Sequence, residues 1–215
     1  MLNDVIFNNE KSAYYDWNIV LTKADIPLPS VKTSSVDIKG ANGILDLSEA
    51  LNGDVIYDNR DIKLTFSLMD MREYSTLISK ISNAIHGKKV KLRFTIDDEY
   101  YYEGRAQISQ WESSKNIGKI VVNVNADPFK YRLYETSVTV ALNGKEQVVH
   151  LQNDRMRVSP TLTASGKITI TYDKTTRTLK EGEQQFADFS LKEGDNVIKL
   201  NGNGTVTISY RRGML

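Results

Sequence analysis

The chain has 215 residues, with 28 basic and 27 acidic side chains and no cysteine. Its length suits one large domain or two modest ones, and 40% hydrophobic content supports a packed core, which excludes a disordered chain. Balanced charge excludes a general nucleic-acid or membrane-surface binder, which needs a basic excess, and the lack of cysteine excludes disulfides, zinc–thiolate sites and Cys nucleophiles.

The start, Met1-Leu2-Asn3-Asp4, has no basic region ahead of an apolar run, so no signal peptide is expected. No stretch approaches the ~18 apolar residues of a membrane span, so no membrane insertion is expected. A cysteine-free chain held by its core and its partners suits assembly in a reducing cytoplasm.

Most of the first 131 residues alternate with period two, the pattern of half-buried strands. Ile62, Leu64, Phe66 and Leu68 point one way, and Val90, Leu92, Phe94 and Ile96 repeat the pattern. A further strand is expected from Tyr100 to Trp111, joined to the preceding one by Asp97-Asp98-Glu99 as a hairpin. Ile120, Val122 and Val124 mark another.

Residues 71–86 break the pattern. Met71, Tyr74, Leu77, Ile78, Ile81 and Ile85 share one helical face. Asp70 is the expected N-cap, Glu73 completes a capping box, and Gly87 supplies the stop. Lys80 and His86 are expected to complement the helix dipole. A weaker one-turn candidate is Leu47–Leu51, before Asn52-Gly53.

Asp127-Pro128 closes the first block. Beyond about residue 135 only short strands are expected: 137–142, 147–151, 161–164, 167–172, 177–179, 186–189, 197–200 and 205–210. Asn143-Gly144, Ser165-Gly166, Glu181-Gly182, Glu193-Gly194 and Asn201-Gly202-Asn203-Gly204 separate them. Many short strands at regular turn spacing predict a β-sandwich. The domains are therefore placed at 1–133 and 134–215.

Little in the sequence points to catalysis. Of the two histidines, His86 closes the helix and His150 faces away from Val149 and Leu151 in a strand, so both read as structural. No G-x-S-x-G elbow is present. Asp97-Asp98-Glu99 lacks the spaced ligands and central Gly of a calcium loop. Gly40-Ala41-Asn42-Gly43 is not followed by the Gly-Lys-Ser/Thr of a phosphate loop, and Asn42-Gly43 reads as a turn. No catalytic, cofactor or metal residue is assigned. Trp17, Trp111 and Tyr100-Tyr101-Tyr102 read as core or subunit contact. The second domain has no Trp, so it offers no obvious sugar-stacking platform.

One ordered set of segments carries a family resemblance. Ile6-Phe7-Asn8-Asn9 precedes Tyr14-Tyr15-Asp16-Trp17, then Pro27 and Pro29, then the run from Val36 to Leu47 holding Gly40, Gly43 and Asp46. Tyr57-Asp58-Asn59-Arg60, the strand from Asp61 to Leu68, the helix end Ile85-His86-Gly87-Lys88 and Asp127-Pro128-Phe129-Lys130-Tyr131 follow. In order and spacing, residues 5–131 resemble the N-terminal domain of distal tail proteins (the Dit family) from long-tailed, siphovirus-type phages of Gram-positive hosts. Asn42 stands where Asp is common in that family. The C-terminal block, ending in Gly204-Thr205-Val206-Thr207-Ile208-Ser209-Tyr210-Arg211-Arg212-Gly213, resembles the family's galectin-like β-sandwich more loosely.

The resemblance implies a mainly β chain with an N-terminal barrel- or split-barrel-like domain, one helix near 70–86, and a C-terminal galectin-like sandwich. It implies a structural role in a phage, prophage or tail-like particle: a ring, hexameric in the family, at the distal end of the tail. That ring joins the tail tube to the baseplate or fibre hub and encloses the DNA channel. The implied partners are copies of itself, the tail-tube protein, and tail-hub, tail-lysin or receptor-binding proteins, with no sequence-specific nucleic-acid contact. The implied motif positions are Gly40, Gly43, Asp46, Asn59, Arg60, Gly87, Asp127, Pro128 and Phe129. The second reading is a carbohydrate-binding module that recognises cell-wall glycans through the C-terminal sandwich.

Overall fold

A computed structural model describes residues 4–50, 53–68, 70, 72, 74–114 and 117–215. Two compact units are present, Met1–Lys130 and Tyr131–Met214. Both are built mainly of antiparallel strands.

The first unit opens with β1 (Val5–Phe7), β2 (Lys11–Ser12), α1 (Ala13–Trp17) and β3 (Ile19–Asp25). Then come β4 (Ser35–Asp37), β5 (Ile44–Asp46), β6 (Arg60–Leu68) and α2 (Tyr74–Ile85). It closes with β7 (Lys89–Phe94), β8 (Tyr100–Ser114) and β9 (Ile117–Ala126). The strands β2-β1-β7-β8-β9-β6-β3 form one curled, half-barrel sheet in that order.

Alternation decides which face of this sheet is core. Ile62, Leu64 and Phe66 lie beside Val124, Val122 and Ile120 in register and are fully buried. Phe7 stacks on Trp17 at 5.0 Å between ring centres, and Ile81 and Ile85 of α2 join the same cluster. Each such side chain contributes about 1.5–3 kcal/mol through burial. The opposite face carries Asp61, Lys63, Asn125, Arg105 and Gln107, all exposed.

Residues 130–215 supply β10 (Lys130–Arg132), β11 (Thr136–Asn143), β12 (Gln147–Asn153), β13 (Thr161–Ala164) and β14 (Ile168–Tyr172). β15 (Thr175–Leu179), β16 (Gly182–Gln184), β17 (Gly194–Tyr210) and β18 (Gly213–Met214) follow. β17 is the organising strand of the second unit. Its first half pairs with β12 and β14, and its second half with β11 and β13. Ile198, Leu200, Val206 and Ile208 from the two halves are fully buried in one core with Leu162, Ile168 and Ile170.

Several sequence expectations need correction. Residues 197–200 and 205–210 are not two strands parted by a turn. Asn201–Gly204 stays within β17, where Gly202 (φ +142°) and Gly204 (φ +121°) bend the strand instead of reversing it. Residues 186–189 form a turn, with the Phe189 N–H donating to Phe186 O, and the strand falls earlier, at β16.

The long helix is described over Tyr74–Ile85, and ahead of it the Asp70 carboxylate accepts from the backbone N–H and guanidinium of Arg72. Met71 and Glu73 lie outside the described residues. Lys80 sits mid-helix and reaches the Asp16 carbonyl at 3.5 Å, so it is not a last-turn cation. Residues 48–50 form a turn rather than a helical one-turn segment; Leu51 and Asn52 lie outside the described residues.

A second helix, α1, was not expected. Ser12 caps it by accepting from Tyr15 N at 2.8 Å, Asp16 accepts from Ser12 N at 2.9 Å, and Asn18 ends it in the left-handed region.

Candidate assembly surface

Between β3 and β6 the chain leaves the first sheet. The excursion is tied at its base by Asp58 N to Ser30 O and Lys32 N to Ile56 O, both 2.8 Å. Beyond that base β4 and β5 pair only with each other among the described residues, with Val36 opposite Leu45 and Asp37 opposite Ile44. Every residue of both strands is exposed, including Ile44 at 68% and Leu45 at 48%. Leu28, Val31, Val36 and Ile38 add to this apolar surface. Paired residues share a face, so Val36 and Leu45 lie on one side and Ile44 on the other. The arm therefore carries apolar side chains on both faces. An isolated two-stranded hairpin is marginal in water, and this one leaves apolar side chains uncovered on both faces.

The motif positions divide between the two ends of this arm. Gly40 (φ +90°) and Gly43 (φ +77°) shape the loop that joins β4 to β5. Asp46 closes the hairpin's base, accepting from Ser48 Oγ at 2.5 Å and Ser48 N at 2.9 Å. Those two bonds hold its carboxyl below the usual aspartate range. Ser48 Oγ in turn accepts from Ser34 N at 2.9 Å, which joins the two legs.

Asn59, Arg60, Asp127, Pro128 and Phe129 converge at the root. Arg60 is 3% exposed; its guanidinium donates to Pro128 O and lies 5.3 Å from the centre of the Tyr102 ring. Burial lowers its pKa, and the Tyr102 hydroxyl opposes that shift. Asn59 donates to Asn125 Oδ1 at 2.8 Å, and Asn125 donates to Asp61 at 2.9 Å. Asp127 N bonds to Glu103 O at 2.8 Å. The Phe129 ring meets Tyr57 edge-on at 5.7 Å and 85°. These contacts fix the returning leg of the arm to the end of β9. Tyr57 and Tyr102 were not singled out for this role by their positions in the sequence, since an aromatic residue's partner is invisible until the strands are in register.

Gly87 stands apart from both groups. It ends α2 at φ +74°, with its N–H donating to Ala106 O and its carbonyl accepting from Arg105. His86, just past the helix end, accepts from Ile108 N through its Nδ1 at 3.1 Å. His150 is exposed, as its strand phase predicts, and its Nδ1 lies 2.8 Å from Asp195 Oδ2, with Gln152 donating to the other carboxylate oxygen. Among the described residues no Ser or Thr hydroxyl bonds to this pair. Among the described residues no group of three or more His, Cys, Asp or Glu could hold a metal ion.

No protein-family model matches the chain, and no curated protein matches it in sequence. Among solved structures, the crystal structure of SPP1 Dit (gp 19.1) aligns over 98% of this chain and 99% of its own, with a TM-score of 0.69 and 12% identity. The chain has the fold of SPP1 Dit. SPP1 Dit is described as a paradigm of the hub adsorption apparatus in phages that infect Gram-positive bacteria. The likeness to Dit spans both units, including the C-terminal one, where the sequence resemblance is looser. At 12% identity it reflects a shared arrangement of strands rather than shared side chains.

Proposed function

We propose that this protein is a structural, non-enzymatic component of a phage tail tip, a distal tail protein located in the virion. In this reading about six copies close into a ring that joins the tail tube to the baseplate or fibre hub and encloses the DNA channel. The observation that carries the reading is the end-to-end likeness to a hub adsorption protein. The partners are further copies of the chain and the neighbouring tail-tube, hub and receptor-binding proteins.

The arm supports the self-association. A protruding hairpin with apolar residues on both faces is stabilised when it enters a complementary surface on another copy. A contact between two different surfaces of identical chains is heterologous, and it closes into a ring when the rotation permits. Gly40, Gly43 and Asp46 would set the shape of the arm. Asn59, Arg60, Asp127, Pro128 and Phe129 would set the direction in which it leaves the sheet.

Mass photometry and negative-stain microscopy of the full chain, alone and with purified tail-tube and hub proteins, test the reading. Rings of about six copies are expected. Leu45→Glu places a charge on the arm without touching the core, so it should shift the population to monomers and leave the thermal midpoint of the monomer unchanged. A wild-type chain that remains monomeric with every tail partner sinks the ring. Rings that persist in Leu45→Glu remove the arm from it.

A further inference from the structure

Asparagine followed by glycine occurs five times in the chain, at Asn42, Asn52, Asn143, Asn201 and Asn203. This dipeptide can react with itself. With no side chain on the glycine, its backbone nitrogen can approach the asparagine Cγ. Whether it does so depends on how firmly the fold holds that nitrogen. Asn52 lies outside the described residues. The other four steps fall into two classes.

Three of them are held. Gly144 N donates to Gly202 O at 2.8 Å. Gly202 and Gly204 stand inside β17, in register with Ile168 and Leu142. Their surroundings are full. A Cβ on Gly202 would sit 2.8 Å from Lys167 O, one on Gly204 2.7 Å from Ser165 Oγ, and one on Gly144 3.3 Å from Asn203 Oδ1. Asn42-Gly43 differs on every count. It lies in the loop that joins β4 to β5, and both residues are exposed. Apart from its chain neighbours, nothing lies within 4 Å of where a Gly43 Cβ would sit. Among the described residues neither the Asn42 side chain nor the Gly43 N–H has a hydrogen-bond partner. Both flanking strands are exposed throughout, so no packing resists the rotation that brings nitrogen to carbon.

We propose that Asn42 is a site of spontaneous deamidation, with water as the only co-reactant. The Gly43 nitrogen, having lost its proton, attacks Asn42 Cγ. A carbon–nitrogen bond forms, the Cγ–Nδ2 bond breaks, and ammonia leaves with the proton. Water then opens the resulting succinimide at either carbonyl. One opening gives aspartate. The other gives isoaspartate, in which the backbone runs through the former side chain and gains a methylene. Both products gain a carboxylate, and no atom is oxidised or reduced. Loop length sets hairpin register, so the isoaspartate link disturbs the pairing of Val36 with Leu45. Its effect on assembly rests on the arm-mediated ring described above: chains converted to isoaspartate should join rings less readily than fresh ones.

Peptide mapping by mass spectrometry of the full chain, aged in mildly alkaline buffer, tests the site. Conversion at Asn42 should outpace that at Asn143, Asn201 and Asn203 by at least about tenfold, because each of those must first open locally. In urea, which removes that protection, the rates at all of these steps should converge. Electron-transfer fragmentation should find isoaspartate at position 42. Equal rates in the folded chain, or an Asn42 that survives ageing while the urea-unfolded chain converts, overturns the proposal. Mass photometry reads the consequence. The ring fraction should fall on ageing in wild type and hold in Asn42→Gln, whose longer side chain cyclises slowly. Asn42→Asp, which carries the charge without the added methylene, should match fresh wild type. Equal decline in aged wild type and Asn42→Gln, or loss of rings in Asn42→Asp, sinks the register effect. Failure of fresh wild type to form rings counts against the ring, and the peptide map still decides the deamidation.

Discussion

Single buried polar residues do much to make these loops specific. Asn196 is 1% exposed, yet its amide nitrogen reaches Leu151 O, Lys192 O and Gly194 O at 3.2, 2.9 and 3.0 Å. Its oxygen accepts from Lys192 N at 2.8 Å and from the Tyr172 hydroxyl at 2.5 Å. One side chain thus satisfies the backbone groups of the 192–196 turn at the start of β17. Asn196→Ala should cost about 2–4 kcal/mol in urea unfolding, because it strands several buried polar groups at once. Asn196→Asp should also destabilise, since a carboxylate has no N–H to donate to the three surrounding carbonyls. A loss below about 0.5 kcal/mol for Asn196→Ala, the range of an ordinary surface change, contradicts this account. Nothing in the sequence marks Asn196. An asparagine beside Asp195 near Glu193-Gly194 reads as one more turn residue, and only its burial reveals the network.

At the scale of elements, period-two alternation made the strands of the first sheet legible, because one face is core and the other meets water. The same pattern concealed the arm. Val36, Ile38, Ile44 and Leu45 look like ordinary strand residues, and no periodicity says whether the face they form is covered. The short helix α1 was hidden for a different reason. Five residues are too few to show helical periodicity, and the readable signal was the local pair Ser12 and Asp16 that caps it. β17 reads as two strands in the sequence because Gly-rich dipeptides normally reverse the chain.

A glycine of another kind holds β8 against β9. A Cβ on Gly104 would sit 2.4 Å from Ala126 Cα and 2.4 Å from Asn125 O, so any side chain must part the two strands. Gly104→Ala should destabilise the chain by about 2–4 kcal/mol. It should also loosen the adjacent Asp127 N to Glu103 O bond, measurable as faster exchange of the Asp127 amide.

At the scale of the whole molecule, the first unit holds the arm and its root. Apart from Gly87, the motif positions of the sequence resemblance come together at the arm only in three dimensions. Gly40, Gly43 and Asp46 shape the arm, while Asn59, Arg60, Asp127, Pro128 and Phe129 anchor it, although residues 60 and 127 lie far apart in sequence.

The hairpin arm has a consequence for how assembly is timed. β4 and β5 hold a register but bury nothing, so in a lone chain the amides of Val36 and Leu45 open almost freely. Their protection should come from a neighbour, and it becomes a function of protein concentration. Hydrogen–deuterium exchange at two concentrations would then separate the molecule into a sheet that is always closed and an arm that closes only in company. If the arm is already protected at the lower concentration, it is stabilised within its own chain. Otherwise the arm records, in each copy, whether the next one has arrived.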